Sequence, residues 1–73
     1  MLKEIEIKNE AQVERINRLA CQAPYEVWLF TRDMMLDARS LLGLYALVGQ
    51  RASVVVEDDV PSGSFDRMVA KMA

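Results

Sequence analysis

Few side chains in this sequence can do chemistry. It has no histidine, so the commonest general base and the commonest transition-metal ligand are both missing. Its one cysteine, Cys21, has no second thiol for a disulfide. It falls inside a helical stretch, where a small structural residue is the expected role. Asp33, Asp37, Asp58 and Asp59 supply carboxylates, but not in the alternating spacing around a glycine that a calcium loop needs. Turn and cap roles are expected for them. Ser40 stands before a short apolar run, at the position of a helix N-cap, where a serine is worth about 1 kcal/mol. No titrating pair, metal cluster or phosphate-cradling glycine loop is present, so the expectation is a non-enzyme with no catalytic residue, metal or cofactor.

Seventy-three residues make one domain, 1–73, with a modest core. The composition is 52% hydrophobic and 27% charged, which excludes intrinsic disorder. The net charge of −2 offers no general basic face for nucleic acid. Arg15, Arg18, Arg32, Arg39 and Arg51 suit a local patch for an acidic or phosphorylated partner better than a duplex. The opening "MLKEIEIKNE" alternates charged and apolar residues and has the pattern of neither a signal peptide nor a membrane span. A cytoplasmic location, with no membrane contact, is the expectation.

The elements that position these residues follow from periodicity. "KEIEIK" alternates strictly, with Ile5 and Ile7 on one face and Glu4, Glu6 and Lys8 on the other, as in a half-buried strand. Asn9 and Gln12 have the spacing of a capping box. Val13, Ile16, Leu19, Ala20 and Ala23 then share one helical face, and Pro24 stops that helix. "YEVWLFT" at 25–31 is aromatic and β-branched, so it predicts a strand; "RD" predicts a tight turn, and "MML" pairs back. Leu41, Leu42, Leu44, Tyr45 and Leu47 form a short apolar helix, ended by Gly49. "ASVVVE" predicts a strand and "DDVPSG" a loop. Ser64 is expected to cap a last helix that buries Phe65, Met68, Val69 and Met72. The order β-α-β-β-α-β-α predicts an α+β open-faced sandwich: a four-stranded antiparallel sheet with three helices on one face.

"LDARSLLGLYALVGQRASVVVEDD", residues 36–59, resembles the histidine-containing phosphocarrier protein (HPr) family of the bacterial phosphoenolpyruvate:sugar phosphotransferase system. Members run from a short strand through Lys/Arg-Ser, two apolar residues and often Gly into a short apolar helix, then a glycine turn, a Val-rich strand and an acidic turn. The close match covers about a third of the chain, and the element order covers all of it. The departure lies upstream. The family carries its phosphoryl group on a histidine in a Gly-x-His-Ala-Arg-type loop between the first strand and first helix. Here "IEIKNEAQVERINRLA" passes from strand to helix with no such loop, and no histidine, glycine or proline precedes Pro24. No other side chain there supplies the nitrogen nucleophile that phosphohistidine requires. The sequence reads as a degenerate HPr-like protein, unable to relay phosphate from phosphoenolpyruvate.

The resemblance assigns Ser40 to the serine that many relatives present to an ATP-dependent HPr kinase. A phosphate there would meet a helix N-terminus, with Arg39 alongside. The cap role and the phosphorylation role are compatible. In the family the exposed part of the next helix docks on partners, which makes Leu42 and Tyr45 candidates for an exposed contact; the alternative is that they are core. Trp28 and Phe30 face the open side of the sheet, joined by Val55, if Val27 and Leu29 face the helices. The opposite register buries them instead, and the family pattern favours the first. Two functions follow. One is a non-catalytic regulatory protein of the phosphotransferase system, binding protein partners such as an HPr kinase or a transcriptional regulator, as do catabolite-repression relatives that lack the histidine but keep the serine. The other is an interaction module unrelated to sugar transport, most simply a homodimer through Trp28 and Phe30.

Overall fold

Alternation places the first strand, β1 (Leu2–Glu6), with one face dry and one wet. The computed structural model describes all 73 residues. Ile5 and, just past the strand, Ile7 are buried, whereas Leu2, Glu4 and Glu6 face the open side. Lys3 shares the parity of Ile5, and at the sheet edge its amine reaches Asp66 at 2.9 Å.

Helix α1 (Glu10–Gln22) begins where the Asn9 carboxamide accepts from the Gln12 N–H at 2.9 Å. Only this half of the expected capping box forms. The Gln12 side chain is buried, and it turns inward rather than back to the Asn9 N–H. Its Oε1 accepts from the Lys8 N–H at 2.8 Å, and its Nε2 donates to the carbonyls of Glu6 and Met72 at 2.8 and 3.0 Å. A buried amide thus ties β1, α1 and the last helix together with every polar atom of its head bonded. Val13, Ile16 and Ala20 form the buried stripe; Ala23 is the residue just after the helix. Cys21, expected to be structural, is exposed near the helix end.

The second and third strands, β2 (Trp28–Phe30) and β3 (Met35–Asp37), form the hairpin. The strand expected over 25–31 shrinks to three residues because its partner β3 supplies only three. At the turn the Thr31 N–H donates to the Met34 carbonyl at 2.8 Å, and the Thr31 hydroxyl accepts from the Met34 N–H at 3.1 Å. Val27 and Leu29 are buried, which settles the register: Trp28 and Phe30 point to the open face.

Helix α2 (Leu41–Tyr45) is shorter than the apolar run suggested. Beyond Tyr45 the chain continues in tighter turns, with the Leu47 N–H on the Leu44 carbonyl and the Val48 N–H on the Tyr45 carbonyl. Gly49 does not end the helix but swings the chain into the sheet: its φ is +92°, and its N–H reaches the Ile7 carbonyl at 2.7 Å. Strand β4 (Arg51–Val55) buries Ala52 and Val54, with Val56 just beyond, and shows Ser53 and Val55 to the open side.

Helix α3 (Ser62–Met72) starts three residues earlier than expected, with Pro61 rather than Ser64 at the cap position. A proline costs nothing there, because the first N–H groups of a helix lack internal acceptors anyway. Phe65, Met68, Val69 and Met72 are buried as the spacing required. The sheet order is β1-β4-β2-β3, all antiparallel, with the three helices on one face. This is the expected open-faced sandwich.

Candidate functional site

Between β1 and α1 there are three residues, Ile7, Lys8 and Asn9. The Asn9 side chain takes the Gln12 N–H, Ile7 is buried, and the Lys8 N–H is held by Gln12. No imidazole exists to occupy the start of α1.

Ser40 precedes α2 with φ −88° and ψ 93°, the extended geometry of a cap residue. Its carbonyl accepts from the Leu44 N–H at 3.1 Å and its own N–H donates to the Asp37 carbonyl at 2.9 Å. Its hydroxyl makes no capping hydrogen bond, contrary to the expectation of a side-chain cap. The residue is exposed. Gly43, one turn on, lets α2 approach β3: a Cβ there would stand 3.3 Å from Leu36 Cδ2 and 3.4 Å from the Ser40 Oγ.

Arg39 turns to carboxylates rather than to the serine hydroxyl. Its Nε and Nη2 donate to the two oxygens of Asp37 at 3.1 and 2.8 Å, the Arg39 N–H donates to the same carboxylate at 2.9 Å, and Glu26 lies 3.5 Å away. These hydrogen bonds hold the Asp37 carboxyl below the usual carboxylate range and raise the guanidinium still further.

Leu42 is 85% exposed, whereas Leu44 and Leu47 are sealed beneath it. A five-residue helix lying on a sheet has room for only part of its apolar surface below. Tyr45 is half-buried, and its hydroxyl donates to Glu14 of α1 at 2.8 Å, which raises the phenol above its ordinary value. Of the three expected partner-contact residues, then, Leu42 is free, Arg39 is engaged by Asp37, and Tyr45 clamps α2 to α1. Val48, just past α2, is also exposed. The expected helix, ended by Gly49, takes in Val48 without marking it as outward-facing.

The open sheet face holds a second apolar surface. Trp28 is paired across the strands with Val55 on one side and Asp37 on the other, and Phe30 with Ser53 and Met35. Trp28, Phe30, Met35 and Val55 line a groove rimmed by Glu57. Leu2, opposite Val55 on the outer strand, extends it. Leu2 and Met35 are 65% and 60% exposed, more open than Phe30 at 39%. Both were missed, although their parity with Glu4 and with Asp37 marks them as outward-facing. Of the other aspartates, Asp58 takes the terminal ammonium at 2.7 Å, and at Asp33 the backbone N–H meets the Thr31 hydroxyl.

Solved structures similar to this one include HPr-C-His from Thermoanaerobacter tengcongensis, with a TM-score of 0.76 at 19% identity over 99% of this chain and 90% of that chain. The phosphocarrier protein HPr from Bacillus anthracis str. Ames gives a TM-score of 0.73 at 11% identity over 97% of this chain and 94% of that chain. The sequence matches no family model and no curated protein. The chain has the HPr fold along nearly its whole length.

Proposed function

We propose that this chain is a phosphotransferase-system-related protein of the HPr type that works by binding. In this reading it is cytoplasmic and no enzyme, it carries no phosphohistidine, and its regulatory surface is the Ser40 helix. The observation that carries the reading is the pairing of an exposed Ser40 hydroxyl, free of any cap bond, with a leucine 85% exposed two residues on. A solvent-facing hydroxyl is open to a kinase, and an isolated exposed leucine beside it suits an apolar pocket on a protein partner. The HPr fold supports the placing of that helix, and the absent histidine removes the family's relay chemistry. Partners of this kind are an HPr kinase or a transcriptional regulator.

The test is intact-mass spectrometry after incubation with ATP and an HPr kinase/phosphorylase, with Ser40→Ala alongside. One phosphate on the parent and none on the variant is the expected result. No phosphate, in a reaction that modifies ordinary HPr, would sink the regulatory role of Ser40.

The apolar groove of Trp28, Phe30, Met35 and Val55 favours a second reading, a homodimer closing the open sheet faces. Sedimentation velocity over a range of concentrations tests it, and a single monomeric species throughout would remove it.

A further inference from the structure

A shallow cleft lies between α1 and α3 and shares no residue with the Ser40 helix or the open sheet face. Its apolar lining comes from Leu19, Ala23, Tyr25 and Met68, and its polar groups include Arg67, Lys71 and the Ser64 hydroxyl. Arg67 Nη2 lies 3.4 Å from the Ser64 Oγ, and its Nη1 is 3.3 Å from the place where Gly63 would carry a Cβ. The guanidinium is thus folded back over the first turn of α3. Lys71 follows one turn later, and helical side chains lean toward the N-terminus, which directs its ammonium over the Arg67 turn.

Neither cation has an internal carboxylate partner. Asp66 is the one acid of α3, and Lys3 takes it at 2.9 Å. The acids of α1 are Glu10 and Glu14 in its first half; Glu14 is bonded to Tyr45, and neither lines the cleft. The ion pairs of the molecule engage Lys3, Arg39, Arg51 and the terminal ammonium, but not Arg67 or Lys71. Two like charges at i and i+4 repel, so a chain with net charge −2 keeps here a local positive excess that an external anion relieves.

We propose that this cleft binds a phosphate dianion. Arg67 and Lys71 match its two charges, and the Ser64 hydroxyl donates a further hydrogen bond. The Leu19, Ala23, Tyr25 and Met68 lining gives an organic substituent an apolar seat, so a small phosphate monoester fits better than free phosphate. The inference stands apart from the Ser40 reading and from the open-face dimer.

The experiment is a titration of amide chemical shifts in the full chain at fixed ionic strength, with inorganic phosphate in one arm and phenyl phosphate in the other. Saturable shifts at Leu19, Ala23, Ser64 and Met68 are expected, and raising the salt should weaken them. Tighter binding of phenyl phosphate assigns the ester; equal binding assigns free phosphate. An Arg67→Gln/Lys71→Gln double variant, with unchanged melting behaviour, should bind about tenfold or more weakly. Absence of saturable shifts in both arms, or a double variant that binds as the parent does, would overturn the proposal.

Discussion

Arg39 grips Asp37 through two side-chain hydrogen bonds at 2.8 and 3.1 Å, although Ser40 is its immediate neighbour in the chain. The pair is a rigid fork on a carboxylate, and it fixes the turn from β3 into α2. The Arg39 guanidinium is therefore not preset for a phosphate on Ser40; a phosphoryl group there must compete with Asp37.

The pair has a pH signature. The hydrogen bonds from Arg39 lower the Asp37 pKa in the folded state. A lowered folded pKa contributes stability above the unfolded value of about 3.9 and loses it as pH falls through the folded value. Asp37→Asn should cost at most about 1 kcal/mol at neutral pH, because the pair is partly solvated. Urea midpoints for parent and variant should converge in acid. A gap that persists below the carboxylate range would show that something other than this ion pair sets the difference.

Gln12 presents a larger and buried effect. Replacing it with Leu removes the partner of the part-buried Lys8 N–H and Glu6 carbonyl and of the buried Met72 carbonyl, at a residue 3% exposed. A loss of about 2–4 kcal/mol is expected, since each unpartnered buried group carries its own desolvation cost. Chemical denaturation of Gln12→Leu measures it. A variant within about 0.5 kcal/mol of the parent, the range of an ordinary surface change, would mean that these three contacts do not matter to the fold.

The contrast between Gln12 and Ile5 shows what the sequence could reveal. Ile5, Ile7, Val13, Ile16 and Met68 announced their burial through periodicity, and with them the element order and the open sandwich. The register of Trp28 stayed open because both faces of its strand carry apolar weight; only the pairing of Leu29 with Leu36 and Val54 decides it. Gln12 was read as a reciprocal cap because its spacing from Asn9 fits, but the carbonyl of Met72, sixty residues away, competes for its amide. Of the surface, the exposure of Leu42 was among two open alternatives, while the engagement of Arg39 and Tyr45 needed the positions of Asp37 and Glu14.

Two glycines should respond differently to alanine. Gly49 sits at φ +92°, where a Cβ is strained even though nothing stands within 4 Å, so Gly49→Ala should cost about 1–2 kcal/mol. Gly43 is helical, and its added Cβ meets the end of a flexible Leu36 side chain at 3.3 Å. There the helix-propensity gain of up to about 1 kcal/mol offsets the crowding, and Gly43→Ala should be close to neutral. Thermal melts of the two variants side by side give the ranking, and a more stable Gly49→Ala would contradict the turn geometry.

The two faces of β2 give the last comparison. Leu29 is fully buried under the helices, so Leu29→Ala should lose about 2–5 kcal/mol through transfer and cavity costs. Phe30, 39% exposed on the open face, should lose far less on conversion to Ser in a monomer, about 1 kcal/mol. If two copies close their open faces, Phe30→Ser acts on association instead. The stability of the parent would then rise with protein concentration, and that of the variant would not. Denaturation of both at two widely separated concentrations distinguishes the cases. A concentration-independent midpoint for the parent would leave the groove without a second copy and the Ser40 helix as the remaining contact surface.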